Sequence, residues 1–211
     1  MMAGRFISLE GGEGAGKSTQ ARLLSDALEA RGIRVLQTRE PGGTSGAEAI
    51  RALLLDPAMH WNAEAEALLF AAARADHVSQ AIRPALQDGQ WVVCDRFIDS
   101  SRAYQGGAGG LSDDDVVTLH RIGSGGMLPD LTILIEIAPD EARERLAIRD
   151  AGQSDRIGGR EAQYHADVAA AFRRLAEADP ARFVRIEGHG TPEEIHARIM
   201  QAVEPLLGKA S

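Results

Sequence analysis

Short runs in which apolar and β-branched residues sit side by side recur along the chain, at Arg5–Glu10, Arg34–Thr38, Gln90–Asp95, Leu131–Ile137 and Arg182–Ile186. Near-continuous apolarity over so few residues predicts strands buried on both faces. Between these runs the apolar positions return at helical spacing. Leu24, Ala27, Leu28 and Arg31 continue a stripe after the first run, and Ala63 to Leu86 carries apolar residues on nearly every turn. Strands alternating with helices predict an α/β fold, a five-stranded parallel sheet with helices on both faces. Glycine and polar residues punctuate the connections at Arg39–Gly46, Gln105–Gly110 and Asp150–Arg160. Such loops are where functional side chains concentrate. No internal repeat, long linker or low-complexity stretch interrupts the pattern, so one domain over residues 1–211 is expected.

The connection after the first strand points to chemistry. Gly11-Gly12-Glu13-Gly14-Ala15-Gly16-Lys17-Ser18-Thr19 fits GxxxxGKS and runs straight into a helical stripe. Glycines let the backbone turn so that successive N–H groups converge, and the helix start adds its positive dipole end. The expectation is a P-loop NTPase fold with the phosphate loop at 11–18. ATP would be held by Gly11, Gly12, Glu13, Gly14, Ala15, Gly16, Lys17, Ser18 and Thr19. Lys17 would reach the β- and γ-phosphates, and the Ser18 hydroxyl would ligate Mg2+. Switches, motors, transport ATPases and small-molecule kinases share this loop, so the rest of the chain must decide between them. At 211 residues there is little room for motor machinery, and no NKxD guanine-reading tetrapeptide is present.

Two further strand ends carry charge to the carboxyl edge of the sheet, where ligands of such folds bind. The second delivers Arg39, Glu40 and the turn Pro41-Gly42-Gly43-Thr44, and the third delivers Asp95 and Arg96. Asp95 suits the Mg2+ shell and Arg96 a phosphoryl oxygen. Glu13, inside the loop, repels a bound polyphosphate and so implies a second task. The loop holds no arginine. Charge developing during transfer must then be met by a lid at about 143–160, which supplies Arg143, Arg145, Arg149, Arg156 and Arg160. Any one of these arginines alone also reads as a solvated helix face with pairs such as Glu141–Arg145.

Composition removes several classes. The 23 Lys and Arg against 31 Asp and Glu give a net charge of −8, which disfavours a general nucleic-acid binder. Cys94 is the lone cysteine, and no Cys/His cluster has zinc spacing, so a reducing cytoplasm is expected. No apolar run approaches the roughly 18 residues of a membrane helix, so no membrane partner is expected.

Taken together, the loop 11–19, Thr38-Arg39-Glu40-Pro41-Gly42-Gly43-Thr44, Leu69-Phe70-Ala71-Ala72-Ala73-Arg74, Asp95-Arg96-Phe97 and Ala103-Tyr104-Gln105-Gly106-Gly107 resemble the bacterial thymidylate kinase family over nearly the whole chain. The resemblance implies Mg2+-dependent transfer of the γ-phosphoryl of ATP to dTMP, and a homodimer assembled through helices that include Ala63–Leu86. It also implies residue roles. Phe70 would stack on thymine and Arg74 would bond a thymine carbonyl. Arg39 and Arg96 would hold the 5′-phosphate, with Glu13 facing the 3′-hydroxyl. Tyr104 would lie beneath the deoxyribose, and Ser100, Ser101 and Gln105 would line the base pocket. Catalytic roles fall to Lys17, Arg96 and a lid arginine, Arg149 first and Arg156 second, and the metal to Ser18 and Asp95. Without the resemblance Phe70 reads as core packing. Phe97 departs from the Tyr or His common after Asp-Arg. Two other readings stay open: a kinase for another nucleoside monophosphate such as dUMP, and a regulatory module that binds ATP without transferring phosphate.

Overall fold

The computed structural model describes residues 3–150 and 156–208, the side chains of 147–150 excepted. Five strands, β1 (Phe6–Glu10), β2 (Val35–Arg39), β3 (Trp91–Asp95), β4 (Leu131–Glu136) and β5 (Phe183–Glu187), form one sheet in the order β2-β3-β1-β4-β5. Every pairing is parallel. The expected α/β fold is therefore what forms, with each strand end within a residue of its place in the sequence pattern. The inner strands β1, β3 and β4 are nearly all buried, whereas the edge strands β2 and β5 are half open, as sheet edges are.

Alternation along the inner strands assigns their two faces. Ile7 and Leu9 of β1, Val93 of β3 and Ile133 and Ile135 of β4 pack on Leu24 and Leu28 of α1 (Lys17–Glu29). The same cluster includes Ile195, Ile199 and Val203 of α9 (Pro192–Leu207). On the opposite face Phe6, Val92 and Cys94 meet Ile82, Ala85 and Phe97. Beyond them Leu134 meets Val168 and Phe172 of α8 (Ala162–Ala178). That face of β1 also carries Ser8 and Glu10, both fully buried, so a polar seam lies under the carboxyl edge.

The remaining helices are α2 (Ser45–Leu55), α3 (Ala63–His77), α4 (Arg83–Gln87), α5 (Ile98–Ser101), α6 (Asp113–Ser124) and α7 (Pro139–Asp150). The stretch from Ala63 to Leu86, with apolar residues on nearly every turn, is helical throughout but widens to a π-helical turn at Val78–Ile82. Pro84 follows at once. It has no N–H, and its ring would collide with the carbonyl four residues back in a regular α-helix, which accounts for the widening. A second π-helical stretch, Arg102–Gly107, continues α5 and carries Tyr104 and Gln105. Of the expected lid, α7 covers the first part and turns at 156–160 the last. Residues 151–155 and the Arg149 side chain lie outside the described residues.

Candidate active site

β1 lies between β3 and β4, and the chain leaves it toward β2 on one side while β4 lies on the other, which opens a crevice at the carboxyl ends of these strands. The phosphate loop fills that crevice. Gly11 has φ of 141°, and a Cβ there would lie 2.4 Å from the Ile135 carbonyl oxygen, so only glycine lets the loop turn against β4. Helices α2, α3, α6 and α9 are capped by the side chains of Thr44, Asn62, Ser112 and Thr191. Helix α1 has no side-chain cap at Gly16, and its first turn carries no acid. Its first N–H groups are thereby left for an anion.

Lys17 is buried and donates from Nζ to the Gly12 carbonyl at 2.8 Å. Burial, with Arg96 adding to it, lowers its pKa to about 8. The Ser18 hydroxyl donates to Asp95 Oδ2 at 2.5 Å, which places the two expected metal residues side by side. Hydroxyl and carboxylate oxygens are the donors a hard divalent cation takes, and Mg2+ needs few from the protein when phosphates and water complete its shell. The pair fits Mg2+ on that ground.

Arg96 is held more firmly than the sequence suggests. It is the one non-glycine with positive φ among the described residues, 71°, and its side chain explains why that conformation persists. Nη1 donates to the Gly11 carbonyl and to Ser100 Oγ, each at 3.1 Å. Nη2 donates to Glu13 Oε1 at 2.5 Å and Tyr104 Oη at 3.1 Å. Glu13 thus neutralises Arg96, which is the second task its place in the loop implied. Beneath them Glu10 accepts from the Phe97 N–H at 2.8 Å and from Ser100 Oγ at 2.6 Å. Burial, then the charge of Asp99, raises the Glu10 pKa to about 8.

The stripe Glu66, Phe70, Arg74 at i, i+4, i+8 of α3 brings the acceptor residues to the same cleft. Phe70 is half-buried: it touches the cluster of Tyr104 and Phe172 and also lines the cleft, so packing and exposure both hold. Arg74 donates from Nε to Glu40 Oε2 at 2.7 Å and from Nη2 to Ser101 Oγ at 2.8 Å. Arg39 lies at the mouth, paired with Glu48 at 3.0 Å. Gln105 donates to Glu66 at 2.9 Å. Arg156 and Arg160 also pair with Glu66, Arg156 at 2.6 Å, so Arg156 sits against α3 and not on the phosphate loop. Arg145 bonds Glu141 and the Gly188 carbonyl, and Arg143 bonds Asp140.

Lys17, Ser18, Arg39, Phe70, Arg74, Asp95, Arg96, Gln105 and Arg145 line one cleft of about 660 Å³ that runs along the strand ends. Phe70, Arg74, Ser101 and Gln105 mark one side, and Arg145, Gly190, Pro192 and Ile195 mark the other, with Lys17, Ser18, Asp95 and Arg96 between. Sequence reasoning missed the second side, although the glycine-punctuated turn Gly188-His189-Gly190-Thr191 before α9 was its signal. It also missed Glu10, Glu66 and His77. Among the described residues no helix is long and apolar enough to cross a membrane.

Comparison with known proteins agrees with this geometry. The family model described as thymidylate kinase matches residues 9–199. A thymidylate kinase of Rhizorhabdus wittichii is 58% identical over 98% of this chain and 100% of its own length. One from Rhodopseudomonas palustris is 49% identical over 96% of this chain and 89% of its own. Another, from Gluconobacter oxydans, is 48% identical over 98% of each. With a phosphate loop at the carboxyl edge of the sheet and likeness along nearly the whole chain, the protein belongs to the thymidylate kinase family.

Proposed function

We propose that this chain transfers the γ-phosphoryl group of ATP to dTMP, giving dTDP and ADP, in the cytoplasm as a step toward the precursors of DNA. The observation that carries this reading is the one cleft in which the phosphate loop lies between Phe70, Arg74 and Ser101 on one side and Arg145, Gly190 and Pro192 on the other. A module that only binds ATP has no use for Phe70, Arg74 and Ser101 gathered opposite the loop. The acceptor is already a phosphate oxygen, so no strong general base is required, and positioning with charge neutralisation carries the acceleration. Lys17 and the α1 N-terminus hold the donor phosphates. Arg96, fixed by Glu13, Ser100 and Tyr104, holds the acceptor phosphate together with Arg39. Ser18 and Asp95 would hold Mg2+, which when bound neutralises phosphate charge. A lid arginine, Arg149, meets the migrating group, since Arg156 is held on Glu66 and the Leu54 carbonyl. A kinase selective for dUMP is the weaker reading. The thymine methyl is worth only about 1–3 kcal/mol, so discrimination between the two is partial.

The same reading includes a homodimer. Helix α3 packs between α2 and α6, and these helices expose Leu53, Leu68, Val117 and Ile122. Binding is tested by thermal unfolding. dTMP alone should raise the unfolding temperature by mass action, and Phe70→Ala should abolish most of that rise. Equal protection of both proteins, or of neither, contradicts the acceptor assignment.

A further inference from the structure

Behind the base end of the cleft a buried polar chain runs from β2 to α3. Thr38 Oγ1 lies 2.7 Å from His77 Nε2, His77 Nδ1 lies 3.2 Å from Glu40 Oε1, and Glu40 Oε2 accepts from Arg74 Nε at 2.7 Å. All three of Glu40, Arg74 and His77 are within 5% of full burial. Glu40 paired with a guanidinium is an acceptor only, so His77 Nδ1 carries the proton and donates to it. With a neutral ring, Nε2 then accepts from the Thr38 hydroxyl. The chain is satisfied at every link, and Arg74 with Glu40 leaves no net charge.

The consequence falls on Arg74. Nε is committed to Glu40 and Nη2 to Ser101 Oγ, with the Phe97 carbonyl at 3.4 Å and the guanidinium over the Phe97 ring. Among the described residues Nη1 makes no hydrogen bond, and Arg74 lines the cleft. A guanidinium can only donate. Pinned in this way it donates to a ring carbonyl but meets an exocyclic amino group donor to donor, leaving two buried groups unpaired. A free arginine would swing aside and lose that discrimination.

We propose that Glu40 and His77 are positioning residues which, by pinning Arg74, make the base end selective for a 4-keto pyrimidine over a 4-amino pyrimidine. The proposal rests on the phosphoryl transfer to dTMP described above. The test is steady-state kinetics with saturating ATP and Mg2+, with dTMP and dCMP as acceptors, on the wild type and three variants. In Glu40→Gln an amide replaces one acceptor with a donor. The KM for dTMP should rise about tenfold with kcat within about twofold, and the dTMP-over-dCMP ratio of kcat/KM should fall at least about tenfold. His77→Leu should do the same. His77→Asn, whose amide N–H takes the place of Nδ1–H, should restore wild-type selectivity. Should Glu40→Gln fail to fold, the contrast between Leu and Asn at position 77 decides. Unchanged selectivity in His77→Leu, or an equal loss for both acceptors in Asn and Leu variants, overturns the inference and leaves dTMP phosphorylation standing. A wild type that forms no dTDP overturns both.

Discussion

Lys17 shows how burial sets the working range of a single side chain. Its cation is held in place by the loop, yet burial first and Arg96 next lower its pKa from 10.5 to about 8. The charged form, which the donor phosphates need, therefore dominates below pH 8 and drains away above it. The profile of kcat/KM for ATP reports the free enzyme. It should be flat below pH 8 and fall about tenfold per pH unit above it, and a flat profile to pH 9.5 would contradict the environment described. Lys17→Ala should lower turnover by orders of magnitude, about 10²-fold or more, while dTMP binding is largely kept. Lys17, Ser18, Asp95 and Arg96 were legible from sequence because a local pattern fixes their chemistry. Glu10, Glu40 and His77 were not, because their roles come from partners far along the chain. Glu10 meets Ser100 across 90 residues and Arg74 meets Glu40 across 34. Arg39 and Arg156, expected near phosphate, pair with Glu48 and Glu66 in this structure, and no local sequence pattern marks those partners.

At the scale of elements, connections do as much as strands and helices. The turn after β2 places Gly43 at φ of 86°, where a Cβ would lie 2.4 Å from Thr38 Oγ1 and 2.5 Å from His77 Nε2. Gly43→Ala should therefore both strain the turn and push apart the chain that pins Arg74. Left-handed backbone costs a non-glycine about 1–2 kcal/mol. Urea unfolding should show at least that loss, with a raised KM for dTMP. A variant with wild-type stability and KM would show that the turn has room to give. The strands were legible nearly to the residue, because β1, β3 and β4 are buried on both faces and carry unbroken apolar runs. The two π-helical stretches were not: the first carries apolar residues on nearly every turn as an α-helix does, and the end of the second, from Gln105, reads as a glycine-punctuated connection but is helical to Gly107. Pro84 was the visible cause of the first, whereas the second re-aims Tyr104 and Gln105 without such a marker.

For the whole molecule, the switch of chain direction around β1 creates one crevice, and the phosphate loop lies between its Arg74 side and its Gly190 side. The excess of acidic residues does not hinder this. Lys17, Arg39, Arg74, Arg96 and Arg145 all line the cleft, so the net charge of −8 sits elsewhere. Assembly is a separate property of the surface. Leu68 of α3 and Ile122 of α6, 55% and 74% exposed, lie on helices that pack together. Analytical ultracentrifugation of Ile122→Glu should show a monomer where the wild type sediments as a dimer, and a monomeric wild type would show that these helices form no dimer interface. Both sides of the cleft are expected to serve one transfer. The most direct test is to incubate the protein with ATP and Mg2+ against dTMP, dUMP, dCMP, dGMP, AMP and thymidine, and to resolve every product by chromatography. dTDP should be the dominant product, formed in step with ADP; ATP bound but no acceptor phosphorylated would rule out transfer to dTMP.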